Sequence, residues 1–228
     1  MWKNLISKLT GKQRETQSYA TFYENYRNSY VTPSLITSCL DQRFVVFDTE
    51  TSGLDPKNAQ ILSIGAVKVQ NMSFEIASSL SIRLKSNVIP TTEAVSIHGL
   101  VSSEQTGIEM NEAAGVFFDF IGSDVLVGHH VGFDLAMLNN LSLKHGGGPI
   151  LNMALDTSML ARRLDNPHDP SSLNPKEYTL DKLCKRFSII PKARHTADGD
   201  AYITALAFIY ILHRLQAKGI HSLGQLMK

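Results

Sequence analysis

The chain has 228 residues, 43% of them hydrophobic, and a formal net charge of +1. This length and composition can bury a full core, so we expect one soluble domain and no second catalytic domain. The longest apolar stretches are too short to span a bilayer, and the first residues lack the long apolar run and cleavage pattern of a signal peptide. The sequence therefore predicts a cytoplasmic protein with no membrane contact, in which Cys39 and Cys184 are reduced thiols.

The first forty residues differ in pattern from the rest of the chain. Residues 1–40 carry aromatic side chains at helical spacing, which predicts an amphipathic helix that docks on the domain or on a partner. The aromatic residues concerned are Tyr19, Phe22, Tyr23, Tyr26 and Tyr30. We assign 1–40 to an N-terminal helical extension, 41–218 to the main domain and 219–228 to a short C-terminal tail.

The main domain alternates between strand and helix patterns. Its first three strands should be antiparallel neighbours, with a turn at 70–72 between the second and third. The predicted strands are 43–47, 61–69, 74–84, one beginning at Val125, and one near 150–155. The predicted helices are 111–121, 134–144 and 201–216. A meander followed by strands separated by helices is typical of a layered α/β domain.

Two acidic residues follow the first strand. Asp48 and Glu50 are two positions apart, so their side chains point to the same face of an extended chain. Two neighbouring carboxylates repel each other unless a positive charge lies between them, and a divalent metal with oxygen ligands is the usual solution. By itself the pair is a weak signal, because any strand end can carry acids on its solvent side.

Further acidic residues lie at predicted helix starts. Asp134 falls in the first turn of the helix after the strand at Val125, where a carboxylate could simply complement the helix dipole. His195 precedes Asp200 by five positions, and Asp200 comes just before the last long helix. Taken alone, His195 could be a surface residue and Asp198 a helix cap.

Together these residues resemble the three motifs of the DEDD exonuclease superfamily, in its histidine-bearing branch. The resemblance is close to the DnaQ-like proofreading exonucleases, which include the epsilon subunit of bacterial DNA polymerase III. It spans about residues 43–213 and rests on four acids and a histidine in the family's order: Asp48, Glu50, Asp134, His195 and Asp200. Flanking segments match at 47–54, at 97–100, in the Gly-His-x-x-x-Phe-Asp frame that ends at Asp134, at 156–162 and at 178–184. One departure is His130, where most relatives carry asparagine.

This resemblance implies a ribonuclease-H-like α/β fold, with a mixed five-stranded sheet flanked by helices, and makes 41–218 an exonuclease domain. It implies that two Mg²⁺ or Mn²⁺ ions are held by Asp48, Glu50, Asp134 and Asp200. Two such ions can stabilise both the attacking and the leaving oxygen of a phosphodiester. It also makes His195 the general base, a role that suits an imidazole near neutral pH. The implied reaction removes nucleotides stepwise from a 3′ end as 5′-monophosphates.

Additional residues match family positions near the terminal nucleotide. These substrate-binding candidates are Thr51, Gly53, Leu54 and His98. Backbone amides at 51–54 could face the last base or sugar, and His98 could bond the 3′ hydroxyl or serve only as a turn residue. The basic run over 176–194 could contact the phosphate backbone or could be a solvated helix face.

The expected partner is a nucleic acid with a free 3′ end, in proofreading, repair or end trimming, with a polymerase or repair protein as a candidate partner. We favour DNA because the flanking motifs look more like the epsilon type. An RNA-directed relative stays open as an alternative, such as an oligoribonuclease or a transfer-RNA trimming enzyme, which treats the 2′ hydroxyl differently. A catalytically silent nucleic-acid-binding module is the other alternative. The presence of all four motif acids and the motif histidine argues against a catalytically silent module.

Overall fold

The computed structural model of the protein describes residues 19–86 and 106–228. As the sequence predicts, these residues form a mixed five-stranded sheet flanked by helices. The strands are β1 Phe44–Thr51, β2 Ile61–Gln70, β3 Ser73–Arg83, β4 Val125–Gly128 and β5 Ala154–Asp156. The helices are α1 Thr21–Ser29, α2 Met110–Ile121, α3 Gly132–Lys144, α4 Thr157–Asp165, α5 Leu180–Arg186, α6 Ala197–Ala217 and α7 Leu223–Leu226.

The sheet has the order β3-β2-β1-β4-β5. The first three strands form the predicted antiparallel meander, and β4 and β5 join the other side of β1 in parallel. Strand β1 is therefore central, with a hydrogen-bonded neighbour on each side. Its C-terminal end lies at the same edge as the C-terminal ends of β4 and β5, which is where α/β sheets commonly bind ligands.

Alternation along β1 divides the core into two layers. Phe44 and Val46 belong to the cluster that contains the apolar residues of α4, α5 and α6. Val45 and Phe47 belong to the cluster formed with α1, α2 and α3. Because side chains alternate between faces, Asp48 continues the first set and Thr49 the second.

Several element boundaries differ from those predicted. Strand β1 runs to Thr51 instead of ending at residue 47, so both acids of the pair lie within the strand. Strand β5 starts only at Ala154, because the amides of Ile150 and Leu151 donate to the side chains of Asn139 and Tyr26 instead of to a neighbouring strand. Helix α6 begins four residues earlier than predicted, at Ala197.

Helix α1 packs on the domain. Tyr23 and Tyr26 are buried, and their rings lie 5.7 and 4.6 Å from the ring of Phe118 on α2. The Tyr26 hydroxyl donates to Asn152 Oδ1 at 2.5 Å and accepts from the Leu151 amide at 2.7 Å. Docking on the domain, one of the two roles predicted for the aromatic residues, is thus confirmed for 19–30. The assigned boundary at residue 40 stays a prediction.

Three further predictions concern the thiols, the membrane and the segment around His98. Cys39 and Cys184 are both free and buried. In the part of the chain that the structure describes, no helix combines the length and apolar character needed to cross a membrane. Residues 97–100 lie outside the described residues, so substrate binding by His98 stays a prediction.

Candidate active site

Three of the predicted acids meet at the C-terminal end of β1. Asp48 and Glu50 come from β1, and Asp200 comes from the first turn of α6. One carboxylate oxygen of each lies within 4.8 Å of the others. Glu50 and Asp200 are only 8% and 7% exposed, so the structure holds a largely buried group of carboxyl side chains here.

The close approach of α6 to the sheet depends on Gly65. This residue pairs with Asp48 in the ladder between β1 and β2. A Cβ atom at Gly65 would lie 2.3 Å from the carbonyl carbon and oxygen of Ala197, the first residue of α6. Only glycine therefore lets the helix start pack directly on the strand and carry Asp200 to Asp48.

Asp134 lies beside this cluster, and its side chain is positioned by hydrogen bonds from Thr49. It is 6% exposed in the first turn of α3. Its Oδ1 accepts hydrogen bonds from the Thr49 amide at 3.1 Å and from Thr49 Oγ1 at 2.5 Å. Asp134 also raises the pKa of both Asp48 and Glu50, in each case less than burial does. The structure thus brings three predicted acids together and places the fourth next to them.

Burial and mutual repulsion favour the protonated forms of these acids. Burial raises the pKa of Asp48 well above its ordinary value, and the neighbouring carboxylates raise it further. The same causes raise the pKa of Glu50 to about 7. Burial raises the pKa of Asp134 to about 6, although its hydrogen bonds from Thr49 oppose the change. A cation bound among them would favour the ionised forms instead.

The partners of the two Asp200 carboxylate oxygens indicate whether a metal ion could bind here. Its Oδ2 accepts from the His195 amide at 3.3 Å and forms an ion pair with Arg194. Its Oδ1 is buried and has no hydrogen-bond partner within the described residues. A buried carboxylate oxygen is costly to leave unpaired, and such oxygens are the ligands that Mg²⁺ and similar hard cations prefer. The donor set therefore fits a divalent metal.

His195 lies directly beside the acids, just before α6. The helix is capped by Thr196, whose side chain accepts from the Gly199 amide, and not by Asp198. Asp198 instead accepts from Ser81 Oγ of β3 at 2.7 Å. His195 itself is exposed, while its amide contacts Asp200. The predicted base thus has solvent access beside the carboxylates.

Three of the four predicted substrate residues, Thr51, Gly53 and Leu54, are among the described residues and lie at or just after the end of β1. Thr51 is buried, and its Oγ1 donates to the Gly53 carbonyl at 2.8 Å. The Ser52 amide donates to the Gln60 carbonyl, so this amide already has an acceptor within the chain. Leu54 is 66% exposed. Of this segment, Leu54 presents the apolar surface that a base could contact.

The remaining motif residues connect β4, α3 and α4. His129 Nδ1 lies 2.9 Å from Thr157 Oγ1, and burial lowers the pKa of His129 to about 4. Asp156 accepts from the Val131 amide through Oδ2 and from the Ser158 amide through Oδ1. These contacts fix the turn that leads into α3, and hence Asp134.

Half of the predicted basic run is paired within the chain. Lys182 contacts Glu177 at 2.9 Å, and Arg186 contacts Asp165 at 2.6 Å. Arg194 contacts both Asp181 and Asp200. The other members, Lys176, Lys185 and Lys192, are exposed. Contact of this run with a phosphate backbone stays a prediction, and the alternative of a solvated helix face stays open.

Sequence reasoning missed several residues that build the site. Thr49 lies between the two acids and is assigned no role from the sequence. Its side chain points to the opposite face of the strand, and this alternation is a signal that could have indicated a contact with α3. Gly65 is a lone glycine in an apolar strand, which is a recognised signal of close backbone approach. Arg194 was included only as one of several basic residues. Its contact with Asp200 depends on loop geometry that no local pattern encodes.

Comparison with known proteins agrees with this geometry. A family model described as Exonuclease (RNase_T) matches residues 45–208. The chain therefore belongs to this exonuclease family and contains a DnaQ-like 3′–5′ exonuclease domain. The family predicted by sequence resemblance is confirmed.

Individual relatives are similar over most of this chain. It is 34% identical over 191 residues to a DNA polymerase III PolC-type protein of Caldanaerobacter subterraneus subsp. tengcongensis, covering 82% of this chain and 13% of that protein. It is 34% identical over 189 residues to a DNA polymerase III subunit epsilon-like protein of Rhodobacter capsulatus, covering 81% and 26% respectively. The chain thus spans only a small part of these relatives.

Solved structures confirm the fold. Exonuclease I of E. coli in complex with a dT13 oligonucleotide superposes with a TM-score of 0.68 at 19% identity, covering 78% of this chain and 43% of that one. Its complex with a dA16 oligonucleotide gives the same TM-score of 0.68 at 18% identity, covering 78% and 42%. At this level of identity the likeness shows the fold alone.

Proposed function

We propose that this protein removes nucleotides from the 3′ end of DNA as 5′-monophosphates, with divalent metal ions as cofactors. The observation that carries the proposal is the meeting of Asp48, Glu50 and Asp200 within 4.8 Å at the end of the central strand. Asp134 lies buried beside them. Along the sequence, the four acids follow one another in the order of the exonuclease motifs. Family membership supports the reaction class.

The four carboxylates would hold two Mg²⁺ or Mn²⁺ ions. Asp48, Glu50 and Asp200 offer oxygens close enough to share an ion, and within the described residues Oδ1 of Asp200 is buried without a hydrogen-bond partner. Bound ions would stabilise the negative charge that builds up on the phosphodiester oxygens during attack and departure. The protein's own part is to fix the carboxylates: Thr49 holds Asp134, and the contact at Gly65 holds the start of α6.

His195 is the proposed general base. What supports this role is that its backbone amide donates to Asp200 Oδ2, which fixes the residue next to the cluster, while the residue is exposed to solvent. A neutral imidazole there can accept the proton of the water that attacks phosphorus. The proton then leaves to bulk solvent, which the exposure of His195 permits.

The substrate is proposed to enter with its 3′ end over the segment after β1. Exposed Leu54 would contact the terminal base, with Thr51 and Gly53 shaping the turn and His98 bonding the 3′ hydroxyl. DNA is favoured because the relatives from Caldanaerobacter and Rhodobacter are DNA polymerase III proteins. Proofreading, repair and end trimming are the proposed settings. A polymerase or repair protein is the proposed partner.

The test is degradation of matched DNA and RNA oligonucleotides labelled at the 5′ or 3′ end, with Mg²⁺ or Mn²⁺. The comparison uses wild type, Asp48→Ala and Asp119→Ala, the last removing an exposed acid of α2. We expect stepwise shortening from the 3′ end in wild type and Asp119→Ala, and none in Asp48→Ala or with chelator. Faster loss of RNA than DNA would select the RNA-directed alternative. Binding without shortening would select the silent module.

A further inference from the structure

Arg194 connects the acidic cluster to the protein surface. Its Nε donates to Asp181 Oδ1 at 2.8 Å, and its Nη1 forms an ion pair with Asp200 Oδ2. The side chain of Asp181 is 67% exposed, whereas that of Asp200 is 9% exposed. One guanidinium group therefore bridges an exposed acid and a buried acid of the proposed metal site.

The loop before α6 fixes Arg194 in this position. Ala193 and His195, on either side, have φ angles of 53° and 62°, a left-handed conformation that is costly for residues other than glycine. Thr196 Oγ1 donates to the Ala193 carbonyl at 2.7 Å. A Cβ atom at Gly199 would lie 1.9 Å from that same carbonyl oxygen, so the loop rests directly on the first turn of α6. These contacts fix the backbone at Arg194, and hence the position from which its side chain extends toward Asp200.

The charge of Arg194 acts on the whole cluster. Asp48, Glu50 and Asp200 are close enough to repel one another strongly, because Glu50 and Asp200 are buried away from the full screening of solvent. Because Arg194 forms an ion pair with Asp200, its positive charge lies directly against this group of carboxylates. A guanidinium keeps its charge throughout the physiological pH range. Without a metal ion, Arg194 therefore supplies positive charge to this site at every relevant pH.

We infer that Arg194 is a built-in counter-cation that competes with divalent metal ions for the charge of Asp200. This inference rests on the proposed metal site. In the metal-free protein, Arg194 offsets part of the repulsion among the carboxylates. When a divalent ion binds, the two cations repel each other, and Asp181 retains the guanidinium at the outer side of the cluster. The protein therefore folds without metal, but binds metal less tightly than its carboxylates alone would.

The test compares Mn²⁺ affinity by isothermal titration calorimetry for metal-free wild type, Arg194→Met, Arg194→Lys and Arg186→Met. Arg186 is a matched control, because it forms a similar ion pair with Asp165 outside the cluster. We expect Arg194→Met to bind Mn²⁺ about tenfold more tightly than wild type, since a nearby positive charge is removed. Arg194→Lys, which keeps the charge, and Arg186→Met should bind as wild type does.

Each outcome separates this inference from the proposed function. Equal affinity in wild type and Arg194→Met, or weaker affinity in the variant, overturns the counter-cation role. Absence of Mn²⁺ binding by wild type overturns the metal site itself. If Arg194→Met does not fold without metal, Arg194→Gln is used, and the rise in melting temperature on adding Mn²⁺ is measured. That rise should exceed the rise for wild type, and an equal or smaller rise contradicts the inference.

Discussion

Thr49 Oγ1 donates a 2.5 Å hydrogen bond to Asp134 Oδ1, so the central strand orients a carboxylate that comes from a helix. Asp48 and Glu50 flank Thr49 in sequence and point to the opposite face of β1. One tripeptide thus supplies two proposed metal ligands on one face and the support of a third acid on the other. The geometry of the site depends on the alternation of a single strand.

Removing this hydroxyl tests the support of Asp134. We expect Thr49→Val to lower kcat/KM by about tenfold or more, because a hydrogen bond to a charged group contributes about 1.5–3 kcal/mol. The backbone bond from residue 49 remains, so the fold should persist. Steady-state kinetics on a labelled oligonucleotide, with melting curves, provide the measurement.

Thr204 offers a matched control for that substitution. It is fully buried on α6, and its Oγ1 has no hydrogen-bond partner in the described part of the chain. Thr204→Val should therefore leave kcat/KM unchanged and alter stability by less than about 1 kcal/mol. Equal kinetic losses in the two variants would show that the Thr49 hydroxyl has no special role in orienting Asp134.

Gly65 gives a second prediction. In Gly65→Ala the new methyl group meets the backbone of Ala197, which cannot yield without displacing α6. We expect a loss of about 2 kcal/mol or more in the free energy of unfolding, together with weaker metal binding, because Asp200 moves with the helix. Chemical denaturation and Mn²⁺ titration measure the two effects.

Gly115 on α2 provides the contrasting substitution. A Cβ atom there meets only the Phe22 Cβ atom, at an ordinary distance of 3.5 Å. Gly115→Ala should stabilise the protein by about 0.5–1 kcal/mol, since alanine favours helix more than glycine does. A Gly65→Ala variant with wild-type stability and metal affinity would contradict the proposed role of the contact between β2 and α6.

The sequence predicted the parts of the site that local patterns carry. Strand alternation predicts that Asp48 and Glu50 share one face, and helix signals predict that Asp134 and Asp200 lie at helix starts, because both patterns are local. The approach of α6 to Gly65 brings together segments more than 130 residues apart, so sequence spacing could not give its distance. The predicted fifth strand is present, but it starts later than the pattern indicates for a related reason: Asn139 and Tyr26, which are distant in sequence, accept from the backbone amides of Ile150 and Leu151.

His195 is the subject of a third prediction. If its imidazole is the general base, His195→Gln should lower kcat by about 100-fold or more while the Mn²⁺ affinity stays near that of wild type. His168→Gln replaces an exposed histidine between α4 and α5 and should have no effect. A parallel loss of Mn²⁺ binding in His195→Gln would assign His195 to metal binding instead of proton transfer.

The raised pKa values of the acids predict how the stability of the metal-free protein depends on pH. The pKa of Glu50 rises from its ordinary value of 4.5 to about 7, and that of Asp134 from 3.8 to about 6. Between the ordinary and the raised values, the folded protein binds more protons than the unfolded chain. The free energy of unfolding should therefore fall as pH increases from about 4 to about 7.

Denaturation in the presence of chelator over this pH range measures the dependence. Glu50→Gln removes one of the titrating groups, so its stability should fall less steeply with pH than that of wild type. Glu112→Gln, which alters an exposed residue of α2, should follow the wild-type curve. Added Mn²⁺ should restore stability most at the upper end of the range, where the carboxylates are ionised and repel one another. A wild-type stability that rises with pH throughout would contradict the burial of uncompensated charge at this site.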